Sequence, residues 1–75
     1  MDAVNETRRQ LVEKVYQDIV TGSIVRDGKL PTERELAERM GTNRTSMREA
    51  LIVLETLGVI EVRGKQGLFV KNAGM

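Results

Sequence analysis

The chain has 75 residues, 40% hydrophobic and 31% charged, with one proline, seven glycines and a formal net charge of +1. That is enough for one hydrophobic core and too little for a second folded module, and it is too apolar for a disordered tail. Cysteine and histidine are both absent, which removes disulfides, thiolate metal sites, the usual zinc ligand and the usual general base near pH 7.

No apolar run approaches the ~20 residues that cross a bilayer. The start, Met1-Asp2-Ala3-Val4-Asn5-Glu6, lacks the basic and apolar regions of a signal peptide, so a cytoplasmic location away from membranes is expected. In chain order, Leu11, Val15 and Ile19 run beside Val12, Tyr16 and Val20 as two adjacent four-residue rows. They predict a helix from Glu6 to about Thr21 with a broad apolar side, Tyr16 packed on it with its hydroxyl at the edge. Thr21-Gly22-Ser23 ends it, and Gly28 marks a turn. Lys29-Leu30 is held extended by Pro31 and suits a short edge strand. Thr32-Glu33-Arg34-Glu35 spells a capping box, and a second helix follows, packing Leu36, Ala37 and Met40.

Gly41 suits a left-handed residue past a helix end, and Thr42 is the expected cap of the next helix after a very short gap. From Asn43 to about Leu57, the residues Met47, Ala50, Leu51 and Leu54 fall on one buried stripe, while Thr45 and Arg48 point away from it. Met40 and Met47 are read as core, not as a metal or cofactor box. Gly58 closes the helix. Val59 to Arg63 and Leu68 to Lys71 read as two strands joined by the loop Gly64-Lys65-Gln66-Gly67. Asn72 to Met75 is small and polar and reads as the start of a linker.

The charges are unevenly placed. Acids and bases alternate from Glu6 to Glu38, but Arg39, Arg44 and Arg48 form a stretch without an acid, and Arg63, Lys65 and Lys71 form another. Local basic clusters of this kind are what meet phosphates. The acids Glu33, Glu35, Glu38 and Glu49 have no nucleophile or base beside them, and capping and i, i+4 pairing account for them. Arg34 has two readings, a local pair with Glu38 or a nucleic-acid contact; Thr45 and Ser46 also have two, as capping residues or as contacts. Ile52 and Val53 lie off the stripe, either exposed or against another surface.

Two helices joined tightly at Gly41 and followed by a hairpin give the order of a helix-turn-helix with a wing, a mainly α fold with a small antiparallel sheet. A major groove about 12 Å wide admits one helix, so the second of the pair must be apolar toward its partners and hydrogen-bonding toward the bases. Asn43-Arg44-Thr45-Ser46-Met47-Arg48 meets that demand. Arginines there reach guanine O6 and N7, small hydroxyls approach phosphates, and the helix N-terminus offers free N–H groups. Lys65 and Gln66, between glycines, form a tip narrow enough for a minor groove.

The runs Leu30-Pro31-Thr32-Glu33-Arg34-Glu35-Leu36-Ala37, Asn43-Arg44-Thr45-Ser46-Met47-Arg48-Glu49-Ala50-Leu51 and Leu57-Gly58-Val59-Ile60-Glu61-Val62-Arg63 resemble the winged-helix domain of the gluconate-repressor (GntR) family of bacterial transcription regulators. The style is that of its fatty-acid-regulator (FadR) branch. The resemblance covers about residues 8 to 71 and implies a DNA-binding domain over 1–71, with helix 43–57 in the major groove and wing 64–67 at the minor groove. It implies operator contacts by Arg34, Arg44, Thr45, Ser46 and Arg48, and a homodimer on a pseudo-palindromic double-stranded operator with GT-rich half-sites facing AC-rich ones. It also implies that residues 72–75 lead toward a C-terminal domain, outside this chain, that binds a small-molecule effector and dimerises. The wing departs from the family's Gly-x-Gly-Thr-Phe-Val: Lys65 stands at the first glycine and Leu68 at the threonine. No cofactor is expected. A winged helix that meets another protein is the alternative, separable by salt dependence; an enzyme ranks third.

Overall fold

The computed structural model describes residues 3–71, with side chains from residue 7 onward. The apolar spacing of the sequence resolves into α1 (Ala3–Thr21), α2 (Glu33–Met40), α3 (Arg44–Thr56), β1 (Ile60–Val62) and β2 (Leu68–Val70), with a 3-10 turn at Gly64–Gln66 between the strands. The linker expected at Asn72 to Met75 lies outside the described residues.

One core joins all of these. Leu11 and Val15 enter from α1, Leu36 and Ala37 from α2, and Met47, Ala50, Leu51 and Leu54 from α3, closed by Ile24, Leu30 and Ile60. Val15, Leu36, Met47 and Ala50 are fully buried, and a large apolar side chain so placed contributes roughly 1.5–3 kcal/mol. Met40 packs half-buried at the margin.

The first helix is narrower in its packing than expected. The row Leu11, Val15, Ile19 faces the core, but Tyr16 is 43% and Val20 61% exposed. The second row is turned about 100° from the first, and of it Val12 alone packs against the core. The helix also begins at Ala3 rather than Glu6.

The end of α2 sets the geometry that follows. Gly41 adopts φ 68°, ψ 34°; its N–H donates to the Glu38 carbonyl at 3.2 Å and that of Thr42 to the Ala37 carbonyl at 2.9 Å. This is a Schellman closure, which satisfies the last carbonyls and reverses the chain within one residue. The start of α2 is the expected capping box: the Glu35 N–H donates to Thr32 Oγ1 at 3.1 Å, and the Thr32 N–H donates to Glu35 Oε1 at 2.9 Å.

The strands β1 and β2 are antiparallel, with Ile60 opposite Val70, Glu61 opposite Phe69 and Val62 opposite Leu68. In place of the short edge strand expected at Lys29-Leu30, the segment makes isolated bridging contacts to β2. Lys29 bridges to Phe69, the Leu30 N–H donates to the Leu68 carbonyl at 2.9 Å, and the Val70 N–H donates to the Gly28 carbonyl at 2.7 Å. The turn before it has Asp27 at φ 53° and Gly28 at φ 80°, the two left-handed positions of a tight hairpin.

Two consequences are measurable. A Cβ at Gly41 would meet no atom within 4 Å, so Gly41→Ala should cost only the left-handed backbone penalty, about 1–2 kcal/mol in urea unfolding; an unchanged midpoint would contradict the Schellman assignment. The Thr32 backbone N–H, with the Thr32 hydroxyl, holds the Glu35 carboxyl below the ordinary carboxylate range. A folded pKa below the unfolded one stabilises above the unfolded value, and that stability is lost as pH falls through the folded value. Glu35→Gln, which keeps the cap geometry, should therefore flatten part of the acid-side decline in stability below about pH 4.3; an identical slope would remove the assignment.

Candidate nucleic-acid interface

The start of α3 is built by Asn43, not by Thr42 as the sequence suggested. Asn43 is extended (φ −93°, ψ 169°) and its Oδ1 accepts from the Ser46 N–H at 2.7 Å. Thr42 closes α2 through its own N–H, and Asn43, the extended residue that directly precedes α3, takes the cap one position later. Asn43 is thus the residue that starts the helix as well as a candidate contact.

Because Met47, Ala50, Leu51 and Leu54 turn inward, Arg44, Thr45 and Arg48 stand on the opposite side and line one shallow depression. Both arginine side chains are 66% exposed. They share a partner that the sequence reading assigned elsewhere. Glu33, the first residue of α2, accepts from Arg48 Nε at 3.1 Å through Oε2 and from Arg44 Nε at 3.3 Å through Oε1, with Arg44 Nη2 also 3.3 Å from Oε1. Its carboxylate is only 20% exposed. The Arg48 hydrogen bond holds the Glu33 carboxyl below the ordinary range, against an opposing effect of burial, and Glu33 in turn raises Arg48.

Local pairing therefore explains Glu35 and Glu38 but not Glu33 or Glu49, which reaches across to Arg8 of α1 at 3.8 Å. Partners 11 and 15 residues away carry no local spacing signal. They arise from the way α2 packs across α3, which no spacing along the chain announces.

Arg34 Nε lies 3.5 Å from Glu38, with side chains 76% and 68% exposed, and it makes no bond to the Arg44–Arg48 group. Ser46 is half-buried, its N–H spent on the cap. Lys65 and Gln66 are exposed at the wing tip, where the Gln66 N–H donates to the Arg63 carbonyl at 2.9 Å. The tip and the start of α2 line one cleft that includes Lys29, Thr32, Glu33, Lys65 and Gln66, so Glu33 adjoins both α3 and the wing. Two cations flank the wing's aromatic, Arg63 of the second basic stretch and Lys29, which the charge pattern had not marked: Arg63 Cζ lies 4.2 Å and Lys29 Nζ 5.9 Å from the Phe69 ring centre, cation–π distances. Off-stripe Ile52 is 53% exposed, and Val53 is half-buried.

Among the described residues, no helix is long and apolar enough to cross a membrane, and no cluster of three or more metal-binding side chains occurs.

Residues 7–70 match the family model "Bacterial regulatory proteins, gntR family". The Uxu operon regulator of Haemophilus influenzae is 40% identical over 67 residues, covering 89% of this chain and 25% of that protein. The Uxu operon transcriptional regulator of Escherichia coli is 40% identical over 73 residues, covering 83% and 28%. The chain thus spans about a quarter of the length of these curated relatives. Among solved structures, the DNA-binding domain of AraR in complex with operator ORE1 superposes with a TM-score of 0.73 at 33% identity, covering 84% of this chain and 77% of that one. A GntR family transcriptional regulator from Listeria monocytogenes gives a TM-score of 0.78 at 28% identity, covering 95% and 62%. Three helices, a wing, the matched model and these relatives together show that the chain belongs to the GntR family of bacterial transcription regulators, as its winged helix-turn-helix DNA-binding domain.

Proposed function

We propose that the domain recognises double-stranded operator DNA by seating α3 in the major groove and laying the wing tip along the backbone or into the minor groove. The observation that carries this reading is the outward face of α3. Arg44, Thr45 and Arg48 stand exposed on a helix whose other side is the core, and an arginine so presented pairs with guanine O6 and N7. Asn43, Ser46 and the first N–H groups of α3 lie where a phosphate would meet the positive end of the helix dipole. Arg34, Lys65 and Gln66 supply flanking contacts to phosphate and sugar.

One copy reads a single half-site with few base contacts, so high-affinity operator binding uses a two-fold dimer on a pseudo-palindromic site. The relatives are about four times as long as this chain, which leaves room outside this domain for the homodimer contacts and small-molecule effector site of a cytoplasmic bacterial regulator. The reading of this surface as a DNA interface is tested by selecting bound duplexes from a random pool and titrating the winner against salt. Affinity that falls steeply with salt reports counterion release from DNA; flat salt dependence with no enriched sequence would favour a protein partner.

Arg48→Ala should lose about 1–3 kcal/mol of binding to the selected duplex and relax base preference at one position, and an unchanged titration at fixed salt would refute its base contact. Lys65→Ala should weaken all sequences alike and reduce the salt slope by about one; a loss confined to one sequence would assign Lys65 to base readout instead.

A further inference from the structure

We infer that Glu33 is a positioning and specificity-determining residue: one carboxylate that fixes the Arg44 and Arg48 guanidinium groups as a pair and so trades raw affinity for discrimination between DNA sequences. The inference rests on the DNA-reading role proposed above.

The geometry is that of a clamp with two arms. Each oxygen of Glu33 takes the Nε of a different arginine, Oε1 that of Arg44 and Oε2 that of Arg48. The one remaining contact to Arg48, from Nη2 to Oε1, is long at 3.5 Å. A guanidinium has five donors in a rigid fork. Glu33 occupies the inner edge of each fork, and Nη1 of both arginines stays outside the bonds. The Nη1–Nη2 edge, which matches guanine O6 and N7 end-on, is thereby left free, on two side chains whose rotation about their long stems is restricted. Rotamer freedom removed before binding is not lost again on binding.

The same carboxylate opposes binding in general. With Glu33 ionised, the Arg44–Glu33–Arg48 group carries a net charge of +1 rather than +2, and a negative group sits close to where phosphates approach. Every sequence feels that repulsion. Only a sequence with guanines at the matching positions regains it, through forks already aimed. Glu33 also adjoins the cleft beneath the wing tip, so its charge lies at the junction of both DNA-facing elements. A residue present only to stabilise α2 would need no such partners, since any acid at the first turn interacts favourably with the helix dipole.

The test uses the 75-residue chain, the best duplex it recovers from a random-sequence pool, and a scrambled duplex of the same composition. Wild type, Glu33→Gln and Glu33→Ala are titrated against both at one salt concentration, with urea midpoints recorded alongside. For Glu33→Ala the scrambled duplex should bind a few-fold more tightly and the ratio of selected to scrambled affinity should fall about tenfold, the discrimination of one bidentate pair. Glu33→Gln keeps a single acceptor oxygen and the shape of the side chain, so its ratio should lie between the two. A ratio unchanged in both variants, or one that rises, overturns the inference, leaving Glu33 as a source of repulsion alone. Equal weakening on both duplexes with a lowered urea midpoint also overturns it, in favour of a structural role. Wild type that enriches no duplex from the pool would instead defeat the DNA-reading proposal itself.

Discussion

The reversal between α2 and α3 is the constraint on which everything else depends. Three residues, Gly41 to Asn43, close one helix and open the next: Gly41 and Thr42 donate to the end of α2, and Asn43 accepts from the start of α3. With so short a connection the relative placement of the helices is fixed by packing between Leu36, Ala37 and Met47, Ala50. One face of α3 is consumed by that packing. The other is left to solvent along its first turns, where base-reading side chains are of use.

The same closeness governs the electrostatics. Because α2 packs across α3, a residue in the first turn of one helix can touch two residues on the other, and Glu33 does so. The basic stretch that looks unopposed in sequence is opposed in space. A count of charges along the chain overstates the positive potential of this face, and the arginines are held in place where free side chains would sample many rotamers.

The helices, the hairpin and the capping box were legible in the sequence because each depends on short-range spacing: a four-residue stripe, a Thr-x-x-Glu pattern, glycines around a loop. The extended segment at Lys29-Leu30 was legible through Pro31, which forbids helix at Leu30. Three features were less so. Thr42 and Asn43 are both good caps by composition, and the backbone decides between them, with Asn43 the extended residue before the first turn of α3. Tyr16 and Val20 carry the right periodicity for burial, yet α1 has more apolar width than the core covers. The Glu33 and Glu49 pairings link positions brought together by tertiary packing alone. Of the candidate site, the residue types and their shared face on α3 were readable, and the carboxylate between them was not.

The bridge between residues 28–30 and β2 has a further consequence. Residues 28–30 are hydrogen-bonded to the side of β2 away from β1, so β2 is not a free edge. The segment that leads into α2 is thus stitched to the segment that follows the wing tip. Helices α2 and α3 and the wing all lie between these two points, so the hairpin cannot peel away without also releasing the entry to α2. For so small a domain this non-local fastening favours all-or-none melting over piecemeal fraying.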